Sequence, residues 1–92
     1  MPQETIKIKH SGGDEWLVTI KSAATTHHRV RLTKVELDHL GQGKPAEVLI
    51  EESFRFLLER EPNTSILASF NLLLIGQYFP EYEKEICDRL TP

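Results

Sequence analysis

PAEVLIEESFRFLLERE, residues Pro45 to Glu61, is the one long stretch of the chain whose periodicity, ends and charge placement all agree. Ala46, Ile50, Phe54, Leu57 and Leu58 recur at three- and four-residue spacing, and Leu49 and Phe56 widen the stripe. Glu47, Glu51, Glu52, Arg55, Glu59 and Arg60 fall mainly on the other side, the pattern of a helix that buries one broad face. Pro45 suits the first helical position, because its fixed φ is helical and its missing N–H has no partner there. Glu47 in the first turn complements the helix dipole. Pro62 is the stop, since it cannot continue the hydrogen-bond ladder and pushes Glu61 out of the helical region. The exposed i,i+4 pairs Glu51/Arg55 and Arg55/Glu59 add only about 0.2 to 0.5 kcal/mol each. Burial of the Leu and Phe side chains, at about 1.5 to 3 kcal/mol each before entropy, therefore decides whether the helix forms.

Toward the N terminus the period changes to two. Ile6 and Ile8 point one way and Thr5, Lys7 and Lys9 the other. The turn formers Ser11, Gly12, Gly13 and Asp14 follow, and then Trp16, Val18 and Ile20 repeat the alternation, which predicts a hairpin. Leu17 falls on the wrong side for a one-sided sheet, so part of the second face is expected to be covered. A third strand is expected at HHRVRL, with His28, Val30 and Leu32 on one face and His27, Arg29 and Arg31 on the other. Thr33 then caps a short helix as a capping box with Glu36, with Val35, Leu37 and Leu40 apolar and Gly41 at its end.

Beyond Pro62, Asn63 or Thr64 is placed to cap a short helix through Ile66, Leu67 and Phe70. Asn71 is placed to cap another through Leu72 to Tyr78, although the run Leu72 to Ile75 fits a buried strand equally well. Pro80 opens a last helix in which Tyr82, Ile86 and Leu90 share a face, with Glu81 and Glu83 suited to its start and Arg89 to its end. The expectation is a single α+β domain spanning residues 1–92: a small antiparallel sheet of two or three N-terminal strands packed against the central helix and short C-terminal helices. Trp16, Val18, Ile20, Val30, Leu32, Ile50, Phe54, Leu57, Leu58, Ile66, Phe70 and Ile86 should be inside.

Ninety-two residues suffice for one core, near the size where a partner subunit helps stability, so a homodimer is compatible with the length. With 39% hydrophobic and 27% charged residues the chain is globular rather than disordered. It has no apolar run that would span a bilayer and no signal-peptide pattern, which predicts a soluble cytoplasmic protein with no membrane partner. The single cysteine, Cys87, cannot close an intramolecular disulfide. Charge is uneven: residues 1–45 carry seven Lys and Arg against five Asp and Glu, and residues 46–92 carry four against nine. The acidic half speaks against wholesale wrapping of nucleic acid, but leaves room for a local basic face.

No motif fixes a reaction. Glu51 and Glu52 point about 100° apart on a helix and do not converge on a substrate. His27 and His28 face opposite sides of a strand, and His10, His39 and Cys87 match no zinc spacing. Gly12-Gly13 and Gly41-Gln42-Gly43 lack the frame of a phosphate loop. Neither an enzyme activity, a metal nor a cofactor is therefore expected. One arrangement is sharper. A strand bearing His27, Arg29 and Arg31, then a short helix, a glycine turn and a longer helix, resembles the element order of a ribbon-helix-helix DNA-binding unit. That resemblance implies a dimer in which Arg29 and Arg31, with His27, contact DNA, and Lys44 beside the helix N terminus holds a phosphate.

A second resemblance covers most of the chain. The run SFRFLLEREPNTSILASFNLLLIGQYFPEYEKEI, with the upstream HHRVRLTKVELDHL, resembles a family of short bacterial proteins known mainly as uncharacterised conserved open reading frames. It implies a small bacterial cytoplasmic protein and carries no catalytic residues across. The functional expectation is a non-enzymatic protein-protein interaction or accessory module contacting another protein through Tyr78, Phe79 and Tyr82, because aromatics beside a proline serve as interface anchors or core filler. The alternative is the dimeric DNA-binding regulator.

Overall fold

The computed structural model describes residues 4–91. The alternating N-terminal segments form β1 (Thr5–Gly12) and β2 (Glu15–Lys21), an antiparallel hairpin with Ile6 opposite Ile20 and Ile8 opposite Val18. Its turn needs glycine: φ is 129° at Gly12 and 55° at Gly13, where a Cβ would strain the backbone. The third strand, β3 (Thr25–Arg31), pairs antiparallel with β2 and sets Val30 opposite Trp16 and His28 opposite Val18.

Thr33 closes β3 and opens α1 (Lys34–Leu40) through the expected capping box. The Glu36 amide donates to Thr33 Oγ1 at 3.1 Å and the Thr33 amide donates to Glu36 Oε1 at 2.9 Å. The central helix, α2 (Ala46–Leu58), is slightly shorter than its pattern suggested. Pro45 is its N-cap rather than its first helical residue, with ψ at 155°, and the helix ends four residues before Pro62. The ending is local: the amides of Arg60 and Glu61 both donate to the Leu57 carbonyl and close a terminal turn.

The largest departure lies after Pro62. Instead of a helix through Ile66 and Phe70, a single 3-10 turn at Asn63–Ser65 is followed by extended chain and a short strand, β4 (Ser69–Asn71). β4 runs parallel to β3, so the sheet is four-stranded and mixed, in the order β1-β2-β3-β4, rather than two- or three-stranded and antiparallel. Parallel pairing requires a crossover, and α1 and α2 supply it. Long-range hydrogen bonds hold the segment in place. The Asn63 side-chain amide donates to the Ala24 carbonyl (3.0 Å) and to Thr26 Oγ1 (2.9 Å), the Arg29 backbone amide donates to the Ala68 carbonyl (2.7 Å), and His28 Nδ1 donates to the Leu67 carbonyl (2.7 Å). These long-range bonds outweigh a helical preference that offered only one apolar stripe.

Asn71 caps as expected, its Oδ1 accepting from the Leu73 amide at 2.9 Å, and the Leu72–Leu74 run is a 3-10 turn leading into α3 (Ile75–Tyr78). The last helix, α4 (Tyr82–Leu90), buries Tyr82, Ile86 and Leu90.

The wide stripe of α2 has two destinations. On the sheet side, the Phe54 ring lies 5.6 Å from His28 and 5.9 Å from Phe70. On the C-terminal side, Phe56 meets Phe79 at 5.8 Å and Tyr82 at 5.3 Å, both edge-on. Val18, Ile20, Val30, Leu32, Ile50, Phe54, Leu57, Ile66 and Ile86 are buried as expected, whereas Trp16, Leu58 and Phe70 are half-buried at the margin of the core. Among the described residues, no helix is long and apolar enough to cross a membrane.

Candidate functional site

The helices pack on one face of the sheet and leave the other open. Along each strand the residues that alternate with the buried Val18, Ile20, His28 and Val30 emerge on that open face, and the strand register aligns them in rows. One row runs Lys9, Leu17, Arg29, Ser69; a second runs Lys7, Thr19, His27; a third Thr5, Lys21, Thr25; a fourth Glu15, Arg31, Asn71. Five cations, Lys7, Lys9, Lys21, Arg29 and Arg31, thus share one exposed surface, with Glu15 the carboxylate on the same rows. Leu17 stands in their midst, 36% exposed, so the covering expected over this residue is not there among the described residues. Thr19 Oγ1 and His27 Nδ1 share a hydrogen bond of 3.1 Å, which holds the imidazole on this face.

None of these cations forms an ion pair among the described residues, although Glu15 stands opposite Arg31 in the register. All ion pairs among the described residues lie in the helical layer. Arg60, stacked 3.6 Å above the Phe56 ring, pairs with Glu81 (3.3 Å) and Glu85 (3.0 Å), and Arg89 spans Glu59 (2.6 Å) and Glu85 (3.1 Å). The hydrogen bond from Arg89, with help from Arg60, holds the Glu85 carboxyl below the usual carboxylate range, and the bond to Glu59 raises the Arg89 guanidinium. Much of the acidic half is thus engaged by cations of its own layer, although with four Lys and Arg against nine Asp and Glu it stays net negative, and the basic face has no ion pair among the described residues.

Of the residues expected to contact nucleic acid, His27, Arg29 and Arg31 do converge on the open face, but Lys44 does not join them, since it lies in the turn before α2 in the helical layer. The ribbon itself cannot form. β3 is an interior strand, paired to β2 on one side and to β4 on the other, so it has no edge along which a second chain's copy could make a two-stranded ribbon. The sequence reading missed Lys7, Lys9 and Lys21 as members of the site. Their alternation with Ile6, Ile8 and Ile20 was visible, but joining them to Arg29 and Arg31 required the register.

The aromatic set divides. Tyr82 is fully buried and cannot anchor a partner at the surface. The Ser53 hydroxyl donates to the Leu49 carbonyl (2.7 Å), which leaves the Tyr82 hydroxyl to donate to Ser53 Oγ at 2.7 Å, and burial pushes the phenol far above its ordinary value. Tyr78 is 66% exposed and Phe79 half-buried. Both line a groove of about 220 Å³ with Leu57, Ile66, Leu67 and Phe70.

The four histidines are dispersed. His10 stacks on Trp16 with centroids 4.4 Å apart and donates to the Gly13 carbonyl, His28 is locked inside the core, and His39 faces Glu83 at 3.4 Å. Among the described residues no three His, Cys, Asp or Glu side chains come together where they would hold a metal ion. Comparisons of this chain with protein-family models, with curated proteins and with solved structures give no match.

Proposed function

We propose that the protein is a non-enzymatic binding module that holds the phosphate backbone of double-stranded nucleic acid on the open face of its sheet. The observation that carries this reading is the set of five cations on one uncovered surface, none of them ion-paired among the described residues. Long Lys and Arg side chains standing out from a sheet face reach phosphates without entering a groove, and each neutralised phosphate releases condensed counterions. The face carries no Phe, Tyr or Trp on which unpaired bases would stack, which favours a duplex over a single strand. Leu17 is its one large apolar side chain among the described residues, too little to insert into a lipid surface. The acidic helical layer points away and disfavours wrapping, so the contact is one-sided and of modest affinity. This keeps the DNA-binding role read from Arg29 and Arg31 but replaces the dimeric ribbon with a single sheet face.

The test is anisotropy of a labelled duplex titrated with the protein across a salt series. Contacts to three to five phosphates give a log–log slope of about −3 to −4.5. The double substitution Arg29→Ala, Arg31→Ala should weaken binding at low salt and lower the slope by about two, with no preference lost among duplex sequences. Lys84→Ala, on exposed α4, should change nothing. Absence of binding at low salt, or equal binding by the double variant, would refute the assignment.

A further inference from the structure

A second surface is built on different chemistry. The groove between the end of α2, the Ser65–Phe70 segment and α3 is walled by Leu57, Ile66, Phe70, Leu74, Ile75 and Phe79. Two large apolar side chains stand at the surface there, Leu67 at 48% exposure and Tyr78 at 66%. Exposed apolar side chains clustered round a cleft are a feature of recognition surfaces rather than of scattered surface residues. The groove also contains one charge. Glu61, half-buried in its wall, forms no ion pair or side-chain hydrogen bond among the described residues, although Glu59, two residues earlier, is engaged by Arg89 and Arg60. The nearest well-placed cation in sequence, Arg60, is turned away onto the Phe56 ring and committed to Glu81 and Glu85. Glu61 therefore offers a cation arriving with a partner a carboxylate beside an apolar cleft, with no competing ion pair among the described residues.

From this complementarity we infer that the groove docks a segment of a partner protein that presents an aliphatic or aromatic side chain next to a Lys or Arg. The apolar side chain fills the space between Phe70 and Phe79, and the cation reaches Glu61. The site is on the helical side of the molecule, separate from the basic sheet face, so a partner seated here leaves the nucleic-acid surface free.

The probe is a short synthetic peptide of Leu and Lys residues, titrated into the isotopically labelled full chain and followed by amide chemical shifts. A matched peptide with Glu in place of Lys serves as control. The expected result is saturable shifts at Leu67, Phe70, Tyr78 and Phe79 with the Lys peptide and none there with the Glu peptide. Glu61→Gln should weaken binding about fivefold and Leu67→Asp more than tenfold, and both substitutions lie at positions partly or largely open to solvent, so the fold is retained. Shifts confined to the exposed acidic side chains Glu47, Glu81 and Glu83, or affinity unchanged by Glu61→Gln, would overturn the proposal. So would sedimentation showing concentration-dependent association abolished by Leu67→Asp, because that would assign the groove to a second copy of this chain.

Discussion

Tyr82 and Glu61 illustrate how burial decides what a residue does. Tyr82 looked like an interface anchor because it follows Pro80 within an aromatic cluster, yet it is the largest fully buried side chain and its hydroxyl closes a bond to Ser53. Its depth has a measurable consequence. The phenol ionises well above its ordinary value of 10.0, so it contributes stability that is fully present below pH 10 and is lost as the pH rises further. In a Tyr78→Phe variant Tyr82 is the sole tyrosine, and its phenolate absorbance should develop together with the loss of the folded circular dichroism signal. Phenolate appearing while the fold persists would place Tyr82 in contact with solvent. Glu61 shows the opposite case: a residue that looked like the frayed end of a helix is the one charge of an apolar groove.

At the scale of elements, the capping signals held at Thr33, Gly41 and Asn71 but not at Asn63, whose side chain is spent on Ala24 and Thr26, nor at Pro80, since the last helix starts at Tyr82 behind Glu81; the strand after Pro62 was hidden. Thr33 with Glu36, Gly41, and Asn71 all act at helix ends where their side chains and backbone are needed, because capping is a bond between near neighbours. β4 offers only three residues, too few to show a period, and it exists because β3 presents an edge to receive it. Asn63 is the clasp of that arrangement, buried and donating to both Ala24 and Thr26. Asn63→Ala leaves the Ala24 carbonyl without that donor and removes a bond to Thr26, and should cost about 1 to 3 kcal/mol in urea denaturation. The same variant should speed amide exchange at Arg29, whose N–H bonds to Ala68, more than in the β1–β2 hairpin. Uniform exchange across the sheet would mean that β4 does not depend on this clasp.

The whole molecule separates charge into two layers. Lys7, Lys9, Lys21, Arg29 and Arg31 stand on the sheet with no ion pair among the described residues, while Arg60 and Arg89 gather Glu52, Glu59, Glu81 and Glu85 and tie α2 to α4. Because the folded Glu85 carboxyl lies below its ordinary value of 4.5, its contribution to stability is present above that pH and is lost as the pH falls through the folded value. Glu85→Gln should therefore lower the melting midpoint at neutral pH and narrow the gap to the parent protein in acid, followed by calorimetry. A gap that stays constant down to strongly acidic pH would mean that the ion pairs add nothing. The sheet-face cations should behave differently, since substituting Arg29 or Arg31 touches no ion pair among the described residues and should shift stability by no more than about 0.5 kcal/mol.

Local pattern by itself determined the α+β class, the two-residue period of the hairpin and third strand, the course of α2, and which side of β3 bears His27, Arg29 and Arg31. Each of these depends on neighbours within a few residues, through alternation, helical spacing or capping. Only the tertiary structure decided that β3 is interior, that Lys7, Lys9 and Lys21 stand in rows with the two arginines, that Tyr82 is core while Tyr78 is surface, and that Glu61 lies in an apolar groove. Those outcomes turn on strand register, on a parallel pairing across a long crossover and on which faces become covered, and each arises from contacts between segments far apart in the chain.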